Sequence, residues 1–356
     1  MQHGSDGVWA VARSATSKAP DSSIPFPQWR QCLITGRWVA IAPGRAARPH
    51  DFHPVQTAHG RENCPFCAGH EHETPAEVLT RRDPATSPDM PGWRVRVVSN
   101  KYPAVDGRLP LEQFGTGPFA GLTGFGVHEV IIESPEHVAA TAQISAAQFA
   151  EVLWVYRQRL IDLRQDRRLK YGLIFKNLGE PAGASLEHLH SQLVALPMVP
   201  DLVEQELAGS LAYHRTHGRC AFCDMISAEL AHGERVVMAT DDFIGLCPYA
   251  SRFPWEVWLL PRRHCSRFES LTDADLPRLA ATMHELLARL ERVLPLPAYN
   301  YYLHTTPFDS SDLEYYHWHV EVTPRVTNVA GFEWGTGFAV NIVAPEQAAE
   351  QLKLAK

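Results

Sequence analysis

The sequence predicts an α+β fold made of one unit written twice, and three observations predict it. Two CxxC pairs, Cys64/Cys67 and Cys220/Cys223, each open a stretch of chain. Each pair is followed, in the same order, by an alternating strand pattern, a histidine, an amphipathic helix and a second strand. Each stretch then closes on an HxHx(Q/E) run, His188-Leu-His190-Ser-Gln192 and His317-Trp-His319-Val-Glu321. Features recurring in one order at one spacing identify a duplicated unit.

Residues 1–27 are rich in Ser, Ala and Pro and read as a loose tail without a signal-peptide core, although Arg13 and Lys18 leave a transit sequence open. Further on, Val127-His-Glu-Val-Ile-Ile-Glu133 alternates as a strand and runs into Ser134-Pro-Glu-His137, and Glu256-Val-Trp-Leu-Leu260 runs into Pro-Arg-Arg-His264. Helix-start signals sit at one offset from these histidines, Ser145 with Gln148 and Thr272 with Asp275. Behind them Phe149, Val152, Leu153, Tyr156, Leu160 and Leu163 keep a helical rhythm in the first half. Leu276, Leu279, Met283, Leu286, Leu287 and Leu290 do so in the second.

The next strands, 172–177 and 299–304, start 35 positions past His137 and His264 in both halves. Alternation along the HxHx(Q/E) strands places both histidines and the Gln or Glu on one face. Stretches rich in Pro and Gly near 103–124 and 179–183 are expected to be loops. A bridge near Pro197 to Gly218 separates the two repeats, 28–196 and 197–356.

A chain of 356 residues with 45% hydrophobic content can bury one large core or two modest ones. Its formal charge of −7 offers no general attraction to a nucleic acid polymer, so a phosphate-bearing ligand must be held locally by Arg or backbone groups. No apolar run is long enough for a membrane span, and the cytoplasm is the expected compartment. Seven cysteines, four of them in CxxC pairs, favour metal over a disulfide framework. Cys32, Cys247 and Cys265 lack such partners and read as ordinary free cysteines.

A structural zinc site takes four ligands in a tetrahedron, and CxxC supplies two thiolates from one turn. The repeat supplies the histidines twice. The expected sites are Cys64, Cys67, His137 and His188, and Cys220, Cys223, His264 and His317. The competing readings are reduced core cysteines, a redox pair, or a zinc-ribbon module that binds nucleic acid or protein; the last does not need HxHxQ, and the acidic balance speaks against it.

If His188 is a ligand, His190 is presented rigidly two residues further on. A neutral imidazole nitrogen attacks phosphorus directly when the other ring nitrogen donates to a carbonyl, which holds the tautomer. Negative charge on the non-bridging oxygens then calls for donors: the Gln192 amide, the Ser185 hydroxyl and the backbone N–H groups of Gly183-Ala-Ser185. The plain alternative for HxH is a metal pair or a buried polar pair.

These residues resemble the galactose-1-phosphate uridylyltransferase branch of the histidine-triad superfamily, including the similar ADP-glucose phosphorylase type, from about Arg30 onward. The motifs are Ser134-Pro-Glu-His137, Asn177-Leu-Gly-Glu-Pro-Ala-Gly-Ala-Ser185, the HxHxQ run, and Leu33-Ile-Thr-Gly-Arg-Trp-Val-Ala-Ile-Ala-Pro-Gly-Arg45-Ala-Ala-Arg48. The resemblance implies His190 as covalent nucleophile and His137 as zinc ligand. It implies phosphate contacts at Asn177, Ser185, Gln192, Arg45 and Arg48, a nucleoside contact at Asn100 and a hexose contact at Glu333. It also implies a fold of two merged histidine-triad units, a half-barrel of mainly antiparallel sheet with helices outside, and a homodimer.

Four positions depart from the family pattern. His-Leu-His replaces His-Pro-His, and Cys220/Cys223 stand where the best-known uridylyltransferases use an acid and histidines at a second metal site, which holds zinc or iron. His319 is then left over as a polar or metal-adjacent group. Gly335-Thr-Gly337 replaces the segment that carries a sugar-reading glutamine, and Lys101 replaces an acid beside the uridine. The leading expectation is a hexose-1-phosphate uridylyltransferase acting by ping-pong on a nucleoside diphosphate sugar and a sugar 1-phosphate. The alternative is an ADP-glucose or other nucleoside diphosphate sugar phosphorylase that uses inorganic phosphate.

Overall fold

A computed structural model describes residues 27–47, 64–294 and 297–355. The expected tail therefore lies, apart from Pro27, outside the described residues, as does Arg48. The first half contains β1 (Gln28–Gln31), β2 (Trp38–Ile41), β3 (Glu77–Arg82), β4 (Trp93–Ser99), β5 (Gln113–Thr116), β6 (Phe119–Leu122), β7 (Val127–Ile132), α1 (Ala146–Leu163), β8 (Tyr171–Leu178) and β9 (His190–Leu196). The second contains α2 (Asp201–His217), α3 (Ala221–His232), β10 (Val236–Ala239), β11 (Phe243–Leu246), β12 (Val257–Pro261), α4 (Asp275–Val293), β13 (Tyr299–His304), β14 (His319–Pro324), α5 (Gly331–Thr336), β15 (Ala339–Asn341) and α6 (Pro345–Leu354).

Ten strands form one antiparallel sheet in the order β10-β11-β12-β14-β13-β8-β9-β7-β4-β3. The duplication is visible in that order. Outward from the central β13/β8 pair, β14, β12, β11 and β10 on one side mirror β9, β7, β4 and β3 on the other. The halves meet along a continuous register, Tyr299 opposite Leu178 through Leu303 opposite Ile174. Strands β3 and β10 have one sheet neighbour each, so the sheet is open. A small sheet of β1, β2 and β15 stands beside it.

Helices α1 and α4 pack against each other and against one face of the large sheet, α1 on the first half and α4 on the second. Every apolar position expected on their inner stripes is buried. Ser145 caps α1 by accepting the Gln148 N–H at 3.1 Å. Thr272 acts differently from expectation: its N–H and hydroxyl both donate to Asp275, and α4 starts at Asp275 itself.

The bridge near Pro197 to Gly218 is mostly helix α2, with Asp201 and Glu204 in its first turn, His214, Arg215 and His217 in its last, and Gly218 in the left-handed region at φ +68°. Two expectations are corrected. The 103–124 loop contains the β5/β6 hairpin, turned at Gly117. The HxHx(Q/E) strands begin only at their second histidine, His190 and His319. Leu189 still donates to Val138 O, but the His188 ring is committed to the Cys64/Cys67 turn, outside the ladder.

Beneath β8 and β9, on the helix side, a polar network crosses the core. Lys176 donates to Glu133 at 2.5 Å, and Tyr156 donates to Glu133 at 3.1 Å while lying 2.7 Å from Ser191 Oγ and 2.6 Å from Tyr301 OH. Lys176 and Glu133 are almost fully buried. Burial depresses the Lys176 pKa and Glu133 opposes the shift. Removing one partner leaves a buried charge alone, at a cost of about 3–5 kcal/mol. Lys176→Met is therefore expected to lower the urea midpoint strongly, and Lys176→Met with Glu133→Gln to recover much of the loss; equal loss in both variants would show that the pairing is not what matters.

Candidate active site

His190 opens β9, so alternation sends Ser191, Leu193 and Ala195 into the core under the helices and leaves His190 and Gln192 on the opposite face. The preceding segment carries His188, fully buried, with Nδ1 at 3.5 Å from both Cys64 Sγ and Cys67 Sγ. His137 Nδ1 is 3.4 Å from Cys67 Sγ. A zinc tetrahedron with arms of about 2.3 Å to sulfur and about 2.0 Å to nitrogen has S···N edges of about 3.5 Å. The donor set fits. The outward nitrogen of His188, Nε2, donates to Ser134 O at 2.8 Å, the second contact that fixes a ligand imidazole.

The second half repeats the arrangement. Cys220, Cys223, His264 and His317 converge, with Cys223 Sγ at 3.4 Å from His264 Nδ1 and 3.7 Å from His317 Nδ1. Their Nε2 atoms donate to Leu313 O and Pro261 O. All eight expected ligands thus fall into two groups able to hold a metal ion.

His190 Nδ1 donates to the carbonyl of its own neighbour but one, His188, at 2.7 Å. That bond leaves Nε2 as the nitrogen with the free lone pair. Burial holds the His190 pKa below the ordinary histidine value, against the opposing pull of the His188 carbonyl, and the Lys176 ammonium beneath the sheet adds to the depression. Both effects favour the neutral ring over the imidazolium. Phe66, inside the first CxxC turn, packs edge-on against His190 with centroids 5.3 Å apart.

The loop from β8 to β9 turns at Gly179 and Gly183, both at positive φ, around a short 3-10 turn. Two expected oxyanion donors are used inside that turn: Gly183 N–H bonds Glu180 O and Ala184 N–H bonds Gly179 O. Gly183 therefore serves the bend. Asn177 Oδ1 accepts from Asn300, which also bonds Ala182 O, both at 2.7 Å. Asn177, His190 and the segment Leu186 to Leu189 line one cavity of about 10 Å³, with Ser185 exposed on the loop above.

Arg45 is exposed on the 3-10 turn Pro43–Ala47, and Glu333 accepts the Ala330 N–H that starts its own helix α5; neither lines that cavity. Asn100 is half-buried and lies 3.1 Å from His128, a residue no motif singled out, which also contacts Gln192.

The structure assembles a third group that sequence patterns did not reveal. Glu206, His304, His319 and Glu321 are buried with donor atoms within 4.8 Å of one another, a set of two imidazoles and two carboxylates that suits a divalent metal. His319, left over by the zinc patterns, bonds His317 O at 3.0 Å just as His190 bonds His188 O. It stacks on His304 at 4.7 Å, and Arg252 pairs with Glu321. A cavity of about 270 Å³ opens here, on the second-half counterpart of the His190 face.

An open antiparallel sheet carries a duplicated Cys–His framework and a carbonyl-oriented histidine, and similarity to known proteins identifies the chain as a nucleotidyltransferase. A family model described as "Galactose-1-phosphate uridyl transferase, N-terminal domain" matches residues 19–200, and one described as a domain of unknown function (DUF4921) matches 126–355. ADP-glucose phosphorylase of Arabidopsis thaliana is 35% identical over 334 residues, covering 92% of each chain. Galactose-1-phosphate uridylyltransferase of Thermotoga maritima is 28% identical over 90% of this chain and 96% of that protein. The crystal structure of the Arabidopsis enzyme with bound ADP-glucose superposes with a TM-score of 0.78 at 33% identity, over 92% of this chain and 98% of that one. The chain belongs to the galactose-1-phosphate uridylyltransferase family.

Among the described residues, no helix is long and apolar enough to cross a membrane. Metal analysis tests the Cys–His framework. Replacing Cys64 and Cys67 by Ser is expected to lower the metal content by about one ion per chain and to lower the unfolding temperature; unchanged content would refute this ligand set.

Proposed function

We propose that this chain exchanges nucleotidyl groups between phosphates by ping-pong through His190. The Nε2 lone pair forms a bond to the α-phosphorus of a nucleoside diphosphate sugar, and the bond from that phosphorus to the bridging oxygen breaks. The sugar 1-phosphate leaves with the electron pair. Nδ1 keeps its proton and goes on donating to the His188 carbonyl, which stabilises the cationic nucleotidyl-imidazole. An acceptor phosphate oxygen then attacks the same phosphorus and returns the lone pair to Nε2.

The carrying observation is the Nδ1 bond to His188 O, which presents Nε2 of a neutral ring. Gln192, Ser185 and Asn177 are assigned to the phosphoryl oxygens, Asn100 to the nucleoside, and Arg45, Arg48 and Glu333 to the outer phosphate and hexose, where a homodimer partner completes the site. Zinc bound by Cys64, Cys67, His137 and His188 would supply rigidity to the segment that carries the orienting carbonyl, and Cys220, Cys223, His264 and His317 would hold zinc or iron in the same structural sense. Repeat 28–196 holds the chemistry, and repeat 197–356 its structural echo.

The first reading of substrate is UDP-sugar with hexose 1-phosphate as acceptor. The similarity to the Arabidopsis phosphorylase, with the paired Cys220/Cys223, favours a second: ADP-glucose with inorganic phosphate. UDP-glucose and ADP-glucose labelled at the α-phosphorus are each incubated with the protein. One is expected to leave acid-labile label on the wild type and none on His190→Ala; equal labelling of both proteins would refute the nucleophile. Release of that label by galactose 1-phosphate or by phosphate then identifies the acceptor.

A further inference from the structure

The face that carries Gln192 holds a hydrogen-bond arrangement whose polarity can be worked out. His128 lies on β7, next to β9, where Val130 stands opposite Gln192. The backbone N–H of Ala104 points at His128 Nδ1 from 3.0 Å. A backbone N–H can only donate, so Nδ1 is the acceptor and the ring proton of neutral His128 sits on Nε2. Nε2–H then donates to Gln192 Oε1 at 2.8 Å. With its oxygen occupied, the Gln192 carboxamide turns its NH2 donors away from His128.

Asn100 is set by the same logic. Its Oδ1 accepts the Tyr102 N–H at 2.8 Å, so its Nδ2 faces His128 Nε2 at 3.1 Å, donor toward donor. That NH2 gains no bond from the histidine and remains for another acceptor. The backbone is tied as well, since Asn100 N–H donates to His128 O at 2.8 Å.

We infer that His128 is a positioning residue for nucleotidyl transfer: it holds the Gln192 carboxamide with its NH2 toward the phosphoryl oxygens, and links that setting to the Asn100–Ala104 segment. The inference rests on the nucleotidyl-His190 reading. An amide free to rotate offers oxygen or NH2 with little preference; offering oxygen to an anionic phosphoryl group opposes the reaction. His128 removes that choice before substrate arrives, which is what preorganised donors contribute to catalysis.

The test is a double-mutant cycle on the single-turnover rate of His190 labelling by the active nucleotide sugar, with binding measured separately. Gln192→Ala and His128→Ala are each expected to slow labelling by about 10- to 100-fold, with a much smaller effect on nucleotide-sugar affinity. In the Gln192→Ala background, His128→Ala should add less than about 3-fold, because the group it acts through is gone. His128→Gln can place an amide N–H near the position of Nε2 and accept from Ala104, and should regain a large part of the rate at wild-type metal content. Multiplicative losses in the double variant, or no loss in His128→Ala, would overturn the inference while leaving the nucleotidyl reading intact. Failure of the wild type to take label would overturn both.

Discussion

An imidazole has two nitrogens, and it works as a reliable nucleophile through one only when the other is committed. Here the His188 carbonyl makes the commitment, 2.7 Å from His190 Nδ1. A carbonyl two residues back along the chain is a poor anchor unless the backbone between them is immobile. The surrounding structure supplies that immobility: the His188 ring is held by two thiols on one nitrogen and by Ser134 O on the other, and Leu189 is bonded on both sides, to Val138 O and from Glu133 N. The Cys–His framework and the proposed nucleophile are thus one mechanical unit, although they occupy different residues.

The same carbonyl-bonded histidine occurs twice, and the two copies differ in what surrounds the ring. His319 has the carbonyl bond, and Phe222 packs against it as Phe66 packs against His190. Around His190, however, lie Gln192, Asn177 and a glycine-turned loop, with Lys176 and a single carboxylate, Glu187, lining the same cavity. Around His319 lie Glu206, Glu321 and the stacked ring of His304. Carboxylates on that face repel a phosphate ester and attract cations. Replacing Gln by Glu at the fifth position of the run, Gln192 against Glu321, already gives the two faces different charge.

Much of this was legible in the sequence because its signals are local or periodic. The two CxxC turns, the histidines at matched offsets and the apolar stripes of α1 and α4 each announce themselves within a few residues. Helix α2 did not, because its buried positions are Val203, Glu206 and Ser210 rather than an apolar stripe. Glu206 and His304 are 98 positions apart and share no motif; only the fold brings them together. Alternation, the one rule a sequence offers there, places the first histidine of each HxH run on the strand, whereas its ring meets the Cys turn outside the ladder.

His128 shows the remaining difficulty most clearly. In the strand Val127-His-Glu-Val-Ile-Ile, a histidine alternating with apolar residues is indistinguishable from a polar side chain that merely faces solvent. Its meaning depends on a backbone N–H from a loop 24 positions earlier and an amide 64 positions later. Neither contact needs a special residue type at Ala104, so no pattern could have flagged it. The tautomer of His190 is set by a carbonyl and the polarity of the Gln192 amide beside it by a backbone donor acting through His128. In both cases the main chain orients the histidine, which explains why the histidines and amides stand out in a sequence while the groups that orient them do not.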